Sequence, residues 1–279
     1  GKLILALGAD PFPHGLSGSG AAGVLAVNDL ADYAAFRAAL DGRKRVIVLG
    51  GGLIGCEFAN DLAHAGFAVD VVHLGEWPLE RLLPVEAGRR LADSLAALGV
   101  TWHFGRSGKR VERTANGYRI ELDNGEAIEA EVVLSAIGLR PRTRLAQEAG
   151  IAAGRGIQVD ALLQTSVPDV YALGDCAEVD GVNLPYVQPL MVQARALAAT
   201  LAGTPTPVVY PAMPVMVKTP AHPVAVLPPK PGAQGGWQVE CGDSGVCALH
   251  VDAAGRLQGF ALTGGETGKR TALAGALAA

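Results

Sequence analysis

Residues 45–57 read Arg45-Val46-Ile47-Val48-Leu49-Gly50-Gly51-Gly52-Leu53-Ile54-Gly55-Cys56-Glu57, and this stretch decides the fold. An apolar, β-branched run from Val46 to Leu49 enters a glycine turn, with Gly50, Gly52 and Gly55 spaced as G-x-G-x-x-G. Apolar residues at helical intervals follow (Leu53, Ile54, Phe58, Leu62), and Gly66 ends that pattern. Val69-Asp70-Val71-Val72 then reads as a second strand. Strand, glycine turn, helix and strand within about thirty residues form the context that a dinucleotide-binding fingerprint requires. Gly50 is expected to allow the tight turn, Gly52 to let the backbone approach a pyrophosphate, and Gly55 to let helix and strand pack closely. The pyrophosphate is expected on the helix N-terminus at Leu53 and Ile54, where unbonded N–H groups and the helix dipole favour an anion.

The chain has 279 residues, room for one large domain or several smaller ones. Hydrophobic residues make up 49% and charged residues 18%, so a sizeable core can be buried. A net charge of −4 without any basic block argues against nucleic acid as a partner. No apolar run approaches the ~18 residues of a spanning helix, and no signal peptide is visible. Cys56, Cys176, Cys241 and Cys247 form no C-x-x-C pair and, with the six histidines, no zinc-like cluster. Free thiols in a cytoplasmic protein are therefore expected, although spacing alone would permit a Cys241–Cys247 pair.

Upstream of the fingerprint, residues 1–9 read as a strand ending at Gly8, and residues 10–27 are loop-rich. Asn28 or Asp29 can cap a helix over 30–40. Downstream, a helix is expected over 85–98, ending at Gly99, then a strand over 100–104. Residues 109–122 and 126–134 read as a hairpin turned at Asn124-Gly125, returning to an apolar strand at 132–137. A helix end at 146–150 and a short strand at 157–160 follow. A buried strand over 170–173 delivers Gly174 and Asp175 at its C-terminal end. Pro189 suits the first turn of a helix running to Leu201. From Val208 the composition shifts to Pro, Gly and β-branched residues. Strands at 215–217, 224–227, 237–240, 246–251 and 257–262 suggest a small, antiparallel-rich last domain.

This order of motifs resembles the two-dinucleotide-domain flavoprotein reductases. A strand ending at Gly8 precedes the G-x-G-x-x-G, Ser135-Ala136-Ile137-Gly138 follows a hairpin, and Thr165, Tyr171, Ala172, Gly174 and Asp175 spell T-x5-Y-A-x-G-D. Within that group the chain most resembles the bacterial rubredoxin–NAD(+) reductases, in the stretches 55–62, 138–143, 171–181 and 217–221. The resemblance covers nearly the whole chain. It implies an α/β fold with two Rossmann-like dinucleotide-binding domains and a small C-terminal α+β domain. The FAD domain is expected to be split and N-terminally incomplete, with the NAD domain inserted into it. Residues 1–27 would be a remnant of the FAD domain, 28–138 the NAD(P)H-binding domain, 139–207 the FAD domain continued, and 208–279 the C-terminal domain. The resemblance also implies that a first G-x-G-x-x-G, for the FAD pyrophosphate, precedes Gly1. The fingerprint at 50–55 is then the one for NAD(H), and the chain as written is expected to hold FAD poorly.

The resemblance implies site residues too. It sets Asp175, beside Gly174, on the FAD ribitol hydroxyls, and Val187 with its backbone N–H toward the isoalloxazine edge. It places Glu57 at the flavin–nicotinamide junction, where dipole complementation alone would also favour an acid. It puts Lys218 near the flavin, where a cation would stabilise reduced, anionic flavin; a snorkelling surface lysine is the alternative. Gly138 lies in the segment leaving the NAD domain. His73 stands where an acid for the adenosine ribose is usual, so Glu76 is the expected substitute. The first basic residue beyond is Arg81, which favours NADH over NADPH. Cys176 reads as a buried thiol. Arg140, Arg142 and Arg144 read as a solvated face, with a docking patch for an acidic carrier as the alternative. The activity implied is hydride transfer from NADH to FAD, then single-electron transfer to rubredoxin or another small iron-sulfur or iron carrier. A ferredoxin reductase of an oxygenase system, an NADH oxidase, and a non-catalytic NAD-binding regulatory or interaction protein are the alternatives.

Overall fold

A computed structural model describes residues 1–230 and 232–278; residues 231 and 279, both in the expected last domain, lie outside the described residues. The chain forms two compact units, one of residues 1–12 with 139–213 and the other of residues 13–138 with 214–279.

The larger unit is built on a five-stranded parallel sheet in the order Leu25–Ala26, Val132–Ser135, Arg45–Leu49, Ala68–His73, Val100–Phe104. Val46, Ile47 and Val48 are wholly buried, as a central parallel strand covered on both faces requires. Helices Leu53–His64 and Val85–Ala97 connect the last three strands. The second of these buries a stripe of Ala87, Leu91 and Leu95, a spacing that keeps side chains on one face. Helix Leu30–Ala39 starts as its sequence predicts: the Asp29 side chain accepts from the Asp32 N–H, and the Asp32 side chain accepts in return. A five-stranded antiparallel sheet, in the order Val215–Val217, Val224–Leu227, Leu257–Thr263, Gly245–Val251, Gly236–Gly242, belongs to the same unit. Its Val217, Val224, Val226 and Ala261 share one hydrophobic core with Val46, Leu91 and Leu95.

The smaller unit pairs Leu3–Leu5 with Val170–Ala172 and Ile157–Val159 with Ala177–Val179, both in parallel. Helix Val187–Leu201 packs on the turn Gly174–Cys176, and Leu5, Ile157, Tyr171, Ala172, Cys176 and Leu197 form the core.

Four local expectations change. The strand expected over 1–9 is two short strands, Leu3–Leu5 and Ala9–Pro11, separated where Gly8 takes a left-handed φ of +70°. The hairpin arm over 126–134 divides at Glu131 into Ala127–Ala130, in a three-stranded antiparallel sheet, and Val132–Ser135, in the parallel sheet. Glu131 marks the division because its carboxylate accepts the N–H groups of Lys44 and Arg45 at 2.6 and 2.9 Å. The other arm, over 109–122, is likewise two strands, Gly108–Thr114 and Gly117–Leu122. A last helix, Arg270–Ala278, was not foreseen from the sequence.

Candidate functional site

The fingerprint turn has the shape each glycine was expected to give it. Gly50 adopts φ +106°, a left-handed conformation that side-chain-bearing residues avoid. A Cβ on Gly55 would lie 1.8 Å from the Gly50 carbonyl oxygen, so no side chain fits between helix and turn. A Cβ on Gly52 would meet nothing within 4 Å, so that flank of the turn is open. Gly52 is the N-cap of helix Leu53–His64 and supplies no side-chain cap. The first N–H groups of the helix, at Leu53 and Ile54, therefore face outward without an intrahelical acceptor. An open flank, outward N–H groups and the positive end of a helix dipole together suit a pyrophosphate. The segment leading to Gly138 runs beside this turn, with the Ala136 N–H donating to the Leu49 carbonyl at 2.8 Å.

The loop after strand Ala68–His73 is laced to the same turn. His73 accepts the Gly51 N–H on Nδ1 at 3.1 Å, and the Gly51 carbonyl accepts the Leu79 N–H at 2.9 Å. With Nδ1 an acceptor, the ring proton sits on Nε2. Burial holds the His73 pKa below the ordinary histidine range, so the ring is neutral near pH 7. Glu76, the acid expected to serve the ribose, is exposed. A second acid, missed in the sequence, lies beside it: Glu80 Oε2 accepts the Glu76 N–H at 3.3 Å. The Glu80 carboxylate occupies the place a Cβ on Gly75 would take, 2.1 Å from that position. The available signal was the glycine itself, five residues before an acid.

Farther along helix Leu53–His64, Glu57 Oε1 accepts the Lys218 N–H at 2.9 Å, and Asn60 Oδ1 accepts the Ala221 N–H at 3.2 Å. Glu57 and Asn60 are one turn apart and face the same way, so together they hold the backbone of 218–221. Asn60 was not singled out in the sequence. Strand Val215–Val217 ends one residue before Lys218, and Lys218 is exposed.

In the smaller unit, Gly174 takes φ +79° at the end of strand Val170–Ala172. Asp175 follows, half-buried, and burial pushes its carboxyl pKa up from the ordinary aspartate value. Burial is the cause of that shift. A shielded carboxylate of this kind suits hydroxyl groups brought by a ligand. Val187 opens helix Val187–Leu201 without a side-chain cap and is 73% exposed, leaving its N–H outward. Cys176 is fully buried, with its thiol pKa raised by burial, which fits an inert thiol. All four cysteines are free, so the Cys241–Cys247 pair does not form. Arg142 bonds Asp10 Oδ1 at 2.7 Å and the Leu7 carbonyl at 3.0 Å, and Arg144 lies 3.4 Å from Glu148. Two members of the arginine run are thus already engaged by neighbouring acceptors.

Comparison with known proteins bears on the whole chain. Residues 1–199 match the family described as pyridine nucleotide-disulphide oxidoreductase, and residues 207–277 match that described as rubredoxin binding C-terminal domain. A rubredoxin-NAD(+) reductase of Alcanivorax borkumensis is 53% identical over 264 residues, 94% of this chain and 69% of that protein. One from Acinetobacter baylyi is 46% identical, over 96% of this chain and 70% of that protein. Among solved structures, a ferredoxin reductase from Rhodopseudomonas palustris superposes with a TM-score of 0.85 at 26% identity, over 94% of this chain and 67% of that one.

Proposed function

We propose a function from one premise: the chain belongs to the pyridine nucleotide-disulphide oxidoreductase family. In this reading it is an NADH-dependent flavoprotein that reduces rubredoxin, in which bound FAD takes a hydride from NADH and gives its electrons up one at a time. The observation that carries the reading is the fingerprint turn, open at Gly52 and closed by contact at Gly55. The names of the relatives and the match over residues 207–277 support rubredoxin as the partner.

Each part of the chain then has a task. The outward N–H groups at Gly52, Leu53 and Ile54 hold the NADH pyrophosphate. Glu80 joins Glu76 in accepting the adenosine ribose hydroxyls. Two carboxylates there disfavour a 2′-phosphate, which supports NADH over NADPH. Asp175 accepts the FAD ribitol hydroxyls, Gly174 lets the backbone turn toward them, and the Val187 N–H donates to the flavin edge. Glu57 fixes the 218–221 backbone and so the position of Lys218, whose exposed ammonium adds a positive field for reduced flavin. Residues 28–138 serve as the nicotinamide nucleotide domain, with 13–27 folded against them in the same unit; 1–12 and 139–207 serve FAD, and 208–279 face the electron carrier. Free thiols support a reducing compartment, the cytoplasm. Among the described residues no helix is long and apolar enough to cross a membrane.

Stopped-flow absorbance tests the reading. The chain, supplied with FAD, is mixed with NADH, and then with rubredoxin or ferredoxin. Fast bleaching of the flavin followed by re-oxidation with rubredoxin is the expected result. Flavin that NADH does not bleach would reject the hydride step, and re-oxidation by ferredoxin alone would reject the partner.

A further inference from the structure

The geometry points to Gln193 as a positioning residue for Asp175, its amide oriented by the Gly174 N–H and anchored by the Tyr210 hydroxyl. The inference rests on the reading of Asp175 as a flavin ligand and assigns the residues that aim it. Gln193 is 1% exposed, on the face of helix Val187–Leu201 that also carries buried Leu197. Its Oε1 accepts the Gly174 N–H at 2.6 Å, and its Nε2 donates to the Tyr210 hydroxyl at 2.7 Å. A backbone N–H can only donate, so the amide oxygen must face Gly174 and the nitrogen must face Tyr210. Leu190, one turn earlier, lies 3.3 Å from the place a Cβ on Gly174 would take, which backs the same turn.

The far side of Asp175 is held as well. Asn183 Nδ2 donates to the carbonyls of Asp175 and Ala177 at 2.9 and 2.7 Å. Side-chain amides therefore fix the Leu173–Gly174 peptide before the turn and the Asp175 and Ala177 carbonyls beyond it, and neither amide bonds the Asp175 carboxylate. If the Gln193 amide flips, its Nε2 meets the Gly174 N–H, two donors face each other, and the turn must move. The donor-only Gly174 N–H fixes which way the amide faces, and the Tyr210 hydroxyl accepts from the Nε2 so placed.

The test compares FAD dissociation constants, read by quenching of flavin fluorescence, with unfolding temperatures measured without FAD. The variants are Gln193→Leu, Gln193→Glu, Tyr210→Phe and Asp175→Ala. Tyr210→Phe is expected to weaken FAD binding about tenfold, the size of one orphaned buried donor, and Gln193→Leu at least as much. Gln193→Glu keeps an acceptor for the Gly174 N–H and a partner for the tyrosine hydroxyl, so it is expected to bind FAD within about threefold of the parent. The unfolding temperatures of both Tyr210→Phe and Gln193→Glu are expected to fall by a few degrees, the first for an orphaned buried donor and the second for a buried carboxyl, so the change in FAD affinity of each is read beside its change in stability. Should Gln193→Leu not fold, those two variants still decide. Tyr210→Phe binding FAD like the parent while Asp175→Ala does not would overturn the positioning role and leave the ligand reading intact. Failure of Gln193→Glu to rescue would also overturn it. Unchanged binding in Asp175→Ala would overturn the ligand reading, and this inference with it.

Discussion

The turns at 50–55 and 174–176 both follow a buried parallel strand, and they are built in opposite ways. The first is shaped mainly by backbone: Gly50 takes a left-handed φ and Gly55 sits against the Gly50 carbonyl, with the His73 ring adding one side-chain bond to the Gly51 N–H. The second is held by side chains, from Gln193 on one side of Asp175 and Asn183 on the other. A turn that only has to offer N–H groups to a diphosphate needs shape and room. A turn that must aim one carboxylate at hydroxyl groups needs its neighbouring peptides fixed from outside. The comparison predicts that the first turn fails sterically when a methyl is added, and the second when a distant hydrogen bond is removed.

The largest effect is expected at Gly55. Gly55→Ala places a methyl 1.8 Å from a backbone oxygen, and neither helix nor strand can yield cheaply. A loss of about 1–3 kcal/mol of stability is expected by chemical denaturation, with NADH binding lost alongside. An unchanged midpoint would mean that the turn is softer than its contact implies. Next comes Asp175→Ala, expected to weaken FAD binding at least tenfold in fluorescence titration, with little change in unfolding of the flavin-free chain.

A smaller effect is expected with pH, and its two signs separate binding from folding. The Asp175 pKa is raised by burial, so the folded, ligand-free chain holds that proton more tightly than the unfolded chain does. Through this group, stability is greatest below the ordinary aspartate value and is lost as pH rises through the raised one. FAD binding that uses the anion runs the other way, falling as pH drops through the raised value. Titrating FAD affinity and flavin-free stability over the same acid range should show the two trends opposed, and Asp175→Asn should abolish both. The smallest effect is expected from Glu57→Gln, which keeps an acceptor for the Lys218 N–H. Its stability should lie within about 0.5 kcal/mol of the parent, while Glu57→Ala should lose about 1 kcal/mol.

What the sequence disclosed follows the same division. The fingerprint turn was legible because its three glycines, flanking strand and helix lie within one stretch and each acts on its near neighbours. The Asp29 cap was legible for the same reason. Gln193 was not, because its partner Gly174 is 19 residues away and the bond exists only once helix and turn have packed. Glu80 was missed because its carboxylate turns back over Gly75, a path that no periodicity encodes. The apolar strand at 132–137 was legible, whereas the break before it was not, because Glu131 makes it by bonding Lys44 and Arg45, 87 and 86 residues upstream.

In the proposed function, the turn at 50–55 serves NADH and the turn at 174–176 serves FAD. The most direct test is an anaerobic NADH titration of the FAD-supplied chain, its flavin absorbance compared among the parent, Gly52→Ala and Asp175→Ala. A Cβ on Gly52 meets nothing in the protein, so Gly52→Ala should keep its fold and its flavin, yet need about ten times more NADH to bleach it. Asp175→Ala should bleach at the parent's NADH concentration in whatever fraction still binds FAD. Loss of flavin from Gly52→Ala, with NADH response unchanged in the remainder, would contradict the assignment of the two turns.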